Sequence, residues 1–546
     1  MKKQFFLLAF IMAAFAGWSQ DFSAVCSTGQ TLYYTITSHS APYTVKVDMP
    51  DEGYSPSITG VLNIPTTVSY EGIDYTVKAI GIGAFYNCMG LTEVVIPSTV
   101  TVIDENAFYR CNHLTAAHLP NSIDSIRRHA FSQCSALANL TMPNAIRFIG
   151  ESAFNQCASL QGEIVIPNTV TYLGESAFYQ CRAITRLTLS NSLTRIEDHV
   201  FNECSGIEGT VTIPEGVTSI GVEAFYGCSN ITRVLLPESL THIHTGAFDG
   251  CSSMTGTLTI PNAVTDIDEM AFNECRHLTG IRLSYSLTTI GYAAFCGCRS
   301  VVRLDIPANV TTIERYAFAE CERLTWITFP RALSSLGDAV FTQCYRLQGI
   351  TCYATTPPSL GRYVFDQVDT SLQILVPCDC IEAYQAHPVW GAFSNYGEVF
   401  GASLVVESIN ENFGTVSISQ YPTCYDHTAT FRASAKHGYH FVRWNDGNTD
   451  AVRSVEVNED VIYTALFENN GNPQAIEPTE ESQSIVTSLR GNIIVKNAES
   501  QIISIYDLAG RTLYCQQTDN LTFRVPHTGI YLVRIGNSKT HKLMVL

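Results

Sequence analysis

Twelve cysteines recur in one fixed sequence context, and thiols at regular spacing are residues that could do chemistry. Each stands three positions after a phenylalanine, as in AFYQC at 177–181 and AFNEC at 271–275. Stacked thiols could bind metal ions or form a chain of disulfides, because neighbouring turns of a repeat lie within disulfide distance. A cysteine three residues after phenylalanine falls on the same side of a helical turn, where free thiols pack as small apolar groups. We therefore expect these thiols to be buried and unpaired: Cys88, Cys111, Cys134, Cys157, Cys181, Cys204, Cys228, Cys251, Cys275, Cys298, Cys321 and Cys344.

The other cysteines give weak signals for a metal site. CDC at 378–380 and CGC at 296–298 lack the second pair or the histidine spacing that zinc sites have. One disulfide, from Cys352 to Cys378 or Cys380, is plausible if the protein folds in an oxidising compartment. We expect neither a metal nor any other cofactor.

Sequence motifs of enzymes are absent from the chain. It contains no H-E-x-x-H, no G-x-S-x-G and no phosphate-binding G-x-x-x-x-G-K. Its formal net charge of −18 argues against nucleic acid or an anionic membrane as partner. No segment after the N-terminus is long and apolar enough to be a transmembrane segment. These observations favour a non-enzymatic protein.

A phenylalanine that recurs every 23 or 24 residues defines the elements that position the thiols. The unit at 91–111, LTEVVIPSTVTVIDENAFYRC, opens with a strand-like run, turns at Pro97 and closes on Phe108 and Cys111. One unit is too small to bury its own apolar residues, so the copies must stack. This predicts a repeat solenoid of about 13 turns. Three units carry an extra residue at the strand entry, which we expect in loops. The predicted structural ladder is Phe108, Phe131, Phe154, Phe178, Phe201, Phe225, Phe248, Phe272, Phe295, Phe318 and Phe341, with Phe85 and Phe365 at the same period.

The unit L-T-x-V-x-I-P…V-T-x-I-x-x-x-A-F-x-x-C resembles the BspA-like bacterial leucine-rich repeats over roughly 80–350. The resemblance implies a curved leucine-rich-repeat solenoid, parallel strands on its concave face and display on a bacterial surface. Exposed apolar ends of a solenoid need caps. We assign the N-terminal cap to 21–78 and the repeats with their C-terminal cap to 79–400. The segment ILVPCDCIEAYQAHPVWGAF at 374–393 resembles the end of BspA-like arrays.

The two ends of the chain resemble secretion signals. MKKQFFLLAFIMAAFAGWSQ at 1–20 has two lysines and then an apolar run, which is typical of a secretory signal peptide. The region 485–546, with IYDLAGR at 505–511 and GIYLVRI at 529–535, resembles the C-terminal sorting domain of type IX secretion. That resemblance implies contact with the secretion machinery and a location outside a Gram-negative cell, secreted or on its outer surface.

A small all-β module is predicted between the repeats and the C-terminal region. The period ends at about 401, and short alternating strands with Asn-Asp-Gly turns run to 468. This stretch resembles the internalin-type B repeat, in which we expect Trp444 in the core. A polar, acidic linker at 469–484 follows it. Two small all-β modules thus follow the solenoid.

A partner-binding surface is predicted on the strands of the repeats. The third and fifth positions of each strand point outward, because the L-x-x-V-x-I positions point inward. Arginine pairs with carboxylates, and arginine and tryptophan are common anchors in interfaces. Arginine and threonine also simply suit exposed strands. The candidate partner-binding residues are Arg186, Arg233, Arg282, Arg303, Trp326 and His118.

Two function classes remain. The first is a cell-surface or secreted interaction protein, an adhesin that binds host or bacterial proteins or glycans through the concave face. The second is an exported glycan-active enzyme or glycan-binding accessory protein, with its site in the concavity or in the 401–468 module. Glu93 and Glu163 would be its paired carboxylates, but they lie about three turns apart, roughly 14 Å. That separation exceeds those of known glycosidase mechanisms, so the first class is favoured.

Overall fold

The computed structural model describes residues 20–50, 58–401, 404–408, 413–458 and 461–469, and seven further strands between 485 and 545 by their backbone. The chain divides into two units, 1–398 and 399–546. The predicted signal peptide at 1–20 and the predicted linker at 469–484 lie outside the described residues, apart from Gln20 and Asn469.

The N-terminal segment forms a small sheet that continues into the repeats. Its strands are β1 (Phe22–Val25), β2 (Thr31–Ser38), β3 (Thr44–Asp48), β4 (Gly60–Asn63), β5 (Thr67–Tyr70) and β6 (Ile73–Ile80). Strands β1, β2 and β3 are antiparallel, and β3 pairs in parallel with β6. Tyr34, Val45 and Val77 are fully buried on this sheet. The first apolar surface of the array is thereby covered.

Every turn of the array contributes one longer strand, except the turn at 137–142, where Asn139 forms an isolated parallel bridge with Ala116. These strands are β7 (Leu91–Val95), β9 (Ala116–His118), β12 (Gly162–Val165), β14 (Ile184–Thr188), β16 (Gly209–Thr212), β18 (Ile231–Leu235), β20 (Gly256–Thr259), β22 (Leu278–Arg282), β24 (Arg303–Asp305), β26 (Trp326–Phe329), β28 (Gly349–Cys352) and β30 (Gln373–Pro377). Their pairings are parallel, and β4 pairs in parallel with β7, so the sheet already begins inside the segment predicted as a cap. The predicted solenoid with parallel strands is confirmed.

Each turn also contributes a two-residue strand. These are β8 (Val102–Ile103), β10 (Ser125–Ile126), β11 (Phe148–Ile149), β13 (Tyr172–Leu173), β15 (Arg195–Ile196), β17 (Ser219–Ile220), β19 (His242–Ile243), β21 (Asp266–Ile267), β23 (Thr289–Ile290), β25 (Thr312–Ile313), β27 (Ser335–Leu336) and β29 (Ser359–Leu360). They pair in parallel as well, and the first of them, β8, pairs with β6. The isoleucine or leucine of nearly every short strand points into the core.

The phenylalanines stack in one column between the strands and the opposite side of each turn. Successive ring centroids from Phe85 to Phe365 lie 4.9–5.9 Å apart, and the rings are nearly parallel. From Phe108 to Phe341 no ring in the column is exposed to solvent. Each ring therefore packs on the turn before and the turn after it, which makes neighbouring turns interdependent.

The segment from phenylalanine to cysteine is not the helical turn that its spacing suggested. Two residues per turn have a left-handed backbone, for example Asn106 (φ 56°) and Arg110 (φ 61°). The backbone N–H groups of residues 106, 108 and 110 consequently reach the carbonyls of the next turn, at 3.0, 2.7 and 2.9 Å. Backbone hydrogen bonds between turns thus replace the bonds within a helix.

The ladder thiols are free and buried, as predicted. From Cys111 onward each donates a hydrogen bond to the carbonyl of the phenylalanine one turn earlier, as Cys134 Sγ does to Phe108 O at 3.1 Å. Burial raises the pKa of the thiols of Cys157 and Cys204, each to about 12. The expected disulfide of Cys352 is wrong, because Cys352 and Cys380 are both free thiols and Cys378 is disulfide-bonded elsewhere. Cys352 instead lies 3.1 Å from the hydroxyl of Tyr384 in a closed apolar site.

The extra residues of the longer units are glycine bulges at the start of strands rather than loop residues. Gly162, Gly209 and Gly256 have φ of 79°, 78° and 74° and shift the register between neighbouring strands. Only glycine adopts this backbone without strain. The stack continues through all three positions.

The C-terminal end of the array is closed by helix α1 (Ile381–Gln385), a 3₁₀ turn (Trp390–Ala392) and strand β31 (Asn395–Val399). Trp390 and Phe393 each lie with ring centroids 5.4 Å from Phe365, the last ring of the column. The indole N–H of Trp390 donates to Pro358 O at 3.1 Å. The last apolar surface of the phenylalanine column is thereby covered.

The second unit contains β-modules. In the first module, β32 (Leu404–Ser408), β37 (Val461–Asn469) and β35 (Tyr439–Trp444) form one sheet, and β33 (Gly414–Gln420), β34 (Thr428–Ala435) and β36 (Val452–Glu456) form another. Trp444 is fully buried against Phe431. The C-terminal strands are β38 (Ile485–Leu489), β39 (Asn492–Lys496), β40 (Gln501–Asp507), β41 (Thr512–Thr518), β42 (Leu521–Arg524), β43 (Gly529–Ile535) and β44 (His541–Val545). They form sheets of three and four strands, so both regions are all-β, as predicted.

Candidate interaction surface on the strand face

The third and fifth residues of the longer strands form a continuous outward surface, which we call the strand face. Register pairs place Glu163 beside Arg186, Thr210 beside Arg233 and Arg303 beside Trp326. Most of these side chains are exposed, while the alternating residues are buried in the core. The residues that the sequence singled out thus lie in two neighbouring rows of this surface, Arg186, Arg233, Arg303 and Trp326 at the third position and His118 and Arg282 at the fifth.

Three arginines on the strand face, Arg186, Arg233 and Arg282, differ from the other arginines between 104 and 300 in having no side-chain partner within the described part of the chain. Eleven arginines lie between 104 and 300, and eight of them lie off the strand face. Seven of these eight form ion pairs with carboxylates, and the eighth, Arg110, donates to Gln133 at 2.8 Å. Arg186, Arg233 and Arg282 form no ion pair with any residue that the structure describes, although the chain carries 50 acidic and 32 basic residues. Three cations are therefore presented unneutralised.

The unpaired arginines occur on every second turn. Arg186, Arg233 and Arg282 lie on β14, β18 and β22, and the turns between them carry β16 and β20. Both outward positions on each intervening turn are threonines, Thr210 with Thr212 and Thr257 with Thr259, and these pair in register with the following arginine turn. At about 4.8 Å per strand, successive arginines are separated by about 10 Å along the array. The surface thus alternates between a cationic turn and a hydroxyl turn.

The acidic residues of the strand face are already engaged. Glu93 pairs with His118 at 3.0 Å, so His118 is not a free anchor. Glu163 accepts a hydrogen bond from the hydroxyl of Thr188 at 3.0 Å and leaves neighbouring Arg186 unpaired. Glu93 and Glu163 lie three turns apart with different partners, an arrangement unlike a pair of catalytic carboxylates.

Arg303 and Trp326 have internal partners too. Arg303 lies 3.6 Å from Asp305 on the same strand, with both side chains well exposed. The indole N–H of Trp326 donates to the hydroxyl of Thr351 at 3.0 Å. Its six-membered ring lies over Gly349 on the next turn, where a Cβ would approach the ring carbon Cζ3 to 2.1 Å. The tryptophan is thus fixed against the sheet rather than projecting from it.

Gly349 and Thr351 are the residues of this surface that sequence reasoning missed. Glycine is rare at the outward positions of the strands, and Gly349 directly follows Trp326 in register. A tryptophan followed one turn later by a glycine at the same position is the signal that could have identified the pair. Thr351 is buried although its position is an outward one, because the indole covers it.

A second polar surface lies on the side of the phenylalanine-to-cysteine segments. Gln133, Gln156 and Gln180 line a groove of about 400 Å³. The arginine in its lining, Arg182, is ion-paired with Glu203, which also accepts a hydrogen bond from Gln180 at 3.1 Å. The groove therefore lacks the unneutralised charge that distinguishes the strand face.

The described residues show neither a metal cluster nor a spanning helix. Within them, no three His, Cys, Asp or Glu side chains are grouped closely enough to hold a metal ion. Among the helices of the described ranges, none has the length and apolarity that crossing a membrane takes.

The strand ladder, the phenylalanine column and the repeat period define a β-solenoid of the leucine-rich-repeat class. More particularly, the chain belongs to the BspA type leucine rich repeat family, which matches six copies over 68–185, 125–255 and 253–373. Residues 404–471 match the divergent InlB B-repeat domain. Both predicted resemblances are confirmed, and both families are named for repeats rather than for a catalysed reaction. Neither match extends over 485–546, where the type IX sorting domain stays a prediction.

Solved structures with similarity to the chain include other leucine-rich-repeat proteins. A leucine rich cell surface protein from Faecalibacterium prausnitzii is 27% identical over 61% of this chain and 95% of its own, with a TM-score of 0.42. A leucine-rich repeat protein from Bacteroides ovatus is 25% identical over 67% and 98%, with a TM-score of 0.40. The T. pallidum leucine rich repeat protein is 27% identical over 38% and 87%, with a TM-score of 0.31. No curated protein matches the chain significantly.

Proposed function

We propose that this chain is an exported, non-enzymatic interaction protein that binds a partner on host or bacterial surfaces through its strand face. The observation that carries the proposal is the set of three unpaired arginines on a chain whose other arginines in the same stretch have partners. An unpaired charge held on a rigid sheet is available to a ligand without first breaking an internal ion pair. Adhesion is the biological role that fits such a surface.

The proposed location is the outer surface of a Gram-negative bacterium or the surrounding medium. The signal-peptide pattern at 1–20 and the sorting-domain resemblance of 485–546 support export through the secretion machinery. Membership of the BspA type repeat family supports surface display. Surface proteolysis of intact producing cells, with detection of the repeats, tests this location, and protection of the repeats from protease would reject it.

The binding proposal is tested with two triple variants of equal charge change. The face variant carries Arg186→Gln, Arg233→Gln and Arg282→Gln. The control variant carries Arg127→Gln, Arg147→Gln and Arg195→Gln, three arginines that pair off the strand face with Asp104, Asp124 and Glu197. Wild type and both variants are applied to an array of extracellular-matrix proteins and surface glycans. We expect a partner whose binding is lost by the face variant and kept by the control variant.

Equal loss in both triple variants would show that overall charge, not the strand face, governs binding. Unchanged binding by the face variant would place the site elsewhere and overturn the proposal. Circular dichroism and thermal melts of both variants show that folding is intact, because exposed strand residues contribute little to the core.

A further inference from the structure

We propose that the ligand of the strand face is a linear acidic polysaccharide with one acidic group on every second sugar. This inference rests on the proposed function, because it names the partner class of the same surface. The alternating cationic and hydroxyl turns carry it, together with the position of Trp326: the three arginines form a local cationic row, while the net charge of −18 disfavours polyanions that do not match the spacing of that row.

The repeat of the surface matches the repeat of such a polymer. One sugar of an extended polysaccharide chain is about as long as one turn of the array is high, about 5 Å. Arg186 and Arg233 lie two turns apart, about 10 Å, so each would meet the acidic sugar of a successive disaccharide. Arg282 is two turns further on and is displaced by two residues along its strand, about 7 Å. The three arginines thus lie along a shallow diagonal across the strand face.

The turns between the arginines carry side chains that can form hydrogen bonds with neutral sugars. Thr210, Thr212, Thr257 and Thr259 are exposed and present hydroxyl groups that both donate and accept hydrogen bonds. A sugar between two acidic units offers hydroxyl and amide groups of the same dual kind. Acidic and neutral sugars that alternate along the ligand would therefore face the arginine turns and the threonine turns that alternate along the protein.

A folded protein would find few anchors on this stretch. Among the ten outward positions from Arg186 to Arg282, Leu235 is the single large apolar side chain. Protein interfaces concentrate their binding energy in aromatic and other apolar anchors that fill pockets. The stretch offers instead a flat row of cations and hydroxyl groups, which suits an extended hydrophilic chain.

Trp326 lies two turns beyond Arg282 on the strand face, about 10 Å further on. Gly349 and Thr351 hold its indole against the strand, so no rotamer freedom is lost when a ligand stacks on it. The apolar C–H face of a pyranose ring packs on flat aromatic rings of this kind. The indole thus adds one stacking site for a sugar ring to the row of arginines and threonines on the strand face.

The experiment measures binding of the full chain to polymers that differ in charge spacing. The probes are hyaluronan and unsulfated chondroitin, which are acidic on alternate sugars, polygalacturonate, which is acidic on every sugar, a neutral β-glucan, poly-glutamate and a single-stranded oligonucleotide. Of the three tryptophans in the described residues, Trp390 and Trp444 are fully buried, so the change in acrylamide quenching on subtracting the Trp326→Phe variant reports contact at Trp326. The Trp326→Phe variant supplies the background of the remaining tryptophans.

We expect an alternating polymer to bind at least tenfold more tightly than polygalacturonate, poly-glutamate or the oligonucleotide, and to protect Trp326 from quenching. The face variant should lose at least tenfold in affinity for it, and the control variant should bind like wild type. Equal binding of all polyanions would reduce the site to general charge attraction and overturn the inference. Suppose that the wild type binds a protein but no acidic glycan, and that the face variant no longer binds that protein. This result would overturn the inference about the ligand, but the proposed function would remain supported.

Discussion

The thiol of Cys204 donates a hydrogen bond of 3.0 Å to the backbone carbonyl of Phe178, one turn earlier in the array. That carbonyl also accepts the backbone N–H of Cys181 on its own turn. The backbone N–H of Phe178 points the other way and bonds Val200 on the following turn. The thiol therefore adds a link between turns at a carbonyl that has no backbone donor from its neighbour, and the regular cysteines are explained as structural donors.

The ladder thiols should be inert in the native protein. All twelve are buried from the reagent, and burial raises the pKa of thiols such as Cys157 and Cys204, so a thiol reagent at pH 8, which attacks the thiolate, should modify none of the twelve. In denaturant all twelve should react. Ellman titration in the two states, with mass spectrometry of the alkylated protein, measures this. Disulfides between ladder cysteines in the mass spectrum would contradict the structure.

Phe201→Ala should destabilise the array by about 3–5 kcal/mol, because the rings of Phe178 and Phe225 both lose their packing partner. Urea unfolding followed by circular dichroism measures the change. Tyr226→Ala is the matched control, since Tyr226 is an exposed aromatic residue of the neighbouring turn. Similar midpoints for the two variants would show that the phenylalanine column does not hold the turns together.

The period of the array could be predicted from the sequence because every turn buries the same residues, and burial leaves a repeating apolar pattern. The backbone of the phenylalanine-to-cysteine segment could not. Its left-handed residues are as varied as Asn106, His129 and Tyr316, and glycine occupies the equivalent position in only some turns, as at Gly250. The hydrogen-bond partners of side chains on the strand face could not be predicted from the sequence either. Glu163, for example, accepts a hydrogen bond from Thr188 and forms no ion pair with its neighbour Arg186. The sequence therefore predicted which side chains point outward from the strands, but not the partners with which those side chains form hydrogen bonds or ion pairs.

Gln156→Gly should stabilise the protein slightly. Gln156 has a φ of 59°, a left-handed backbone that disfavours a side chain by about 1–2 kcal/mol. Glycine removes this strain, and its greater freedom in the unfolded chain offsets part of the gain, about 0.4–1 kcal/mol. We expect a net increase below about 1 kcal/mol in urea unfolding. Gly250→Ala at the equivalent position (φ 73°) should shift stability in the opposite direction.

Asp249→Asn should stabilise the protein at neutral pH. Burial, together with the charges of Glu274 and Glu223, raises the pKa of Asp249 to about 6. The folded state thus holds a proton that the unfolded state releases near pH 4, so wild-type stability falls as pH rises from about 4 to 6. The variant has no carboxylate at this position, so its stability does not fall over this pH range. We expect it to be more stable than the wild type by about 1 kcal/mol at pH 7.5, a value that allows for the partial exposure of the carboxylate.

The advantage of Asp249→Asn should be much smaller at pH 4, where the wild-type carboxyl is largely protonated in the folded state and about half protonated in the unfolded state. The introduced amide keeps a side-chain oxygen, which can accept the hydrogen bond that Asn273 donates to Asp249 at 2.9 Å in the wild type. Urea unfolding of both proteins between pH 4 and 8 gives the comparison. A difference that does not change with pH would show that the carboxylate is not the cause.

Gly349→Ala should release Trp326 from the strand face. The added methyl group would sit 2.1 Å from ring carbon Cζ3, a distance that forces the indole to move and breaks its hydrogen bond to Thr351. Tryptophan emission should shift to longer wavelength and acrylamide quenching should increase, because the indole becomes solvated.

The matched control is Gly280→Ala, which lies at the equivalent position three turns earlier. Its methyl group would meet the hydroxyl of Thr257 at 2.9 Å, and that small side chain moves aside by rotation. Emission should therefore be unchanged in Gly280→Ala. Because the indole packs outside the core, Gly349→Ala should unfold at nearly the wild-type urea concentration. An unchanged emission spectrum in Gly349→Ala would show that the glycine does not set the position of Trp326.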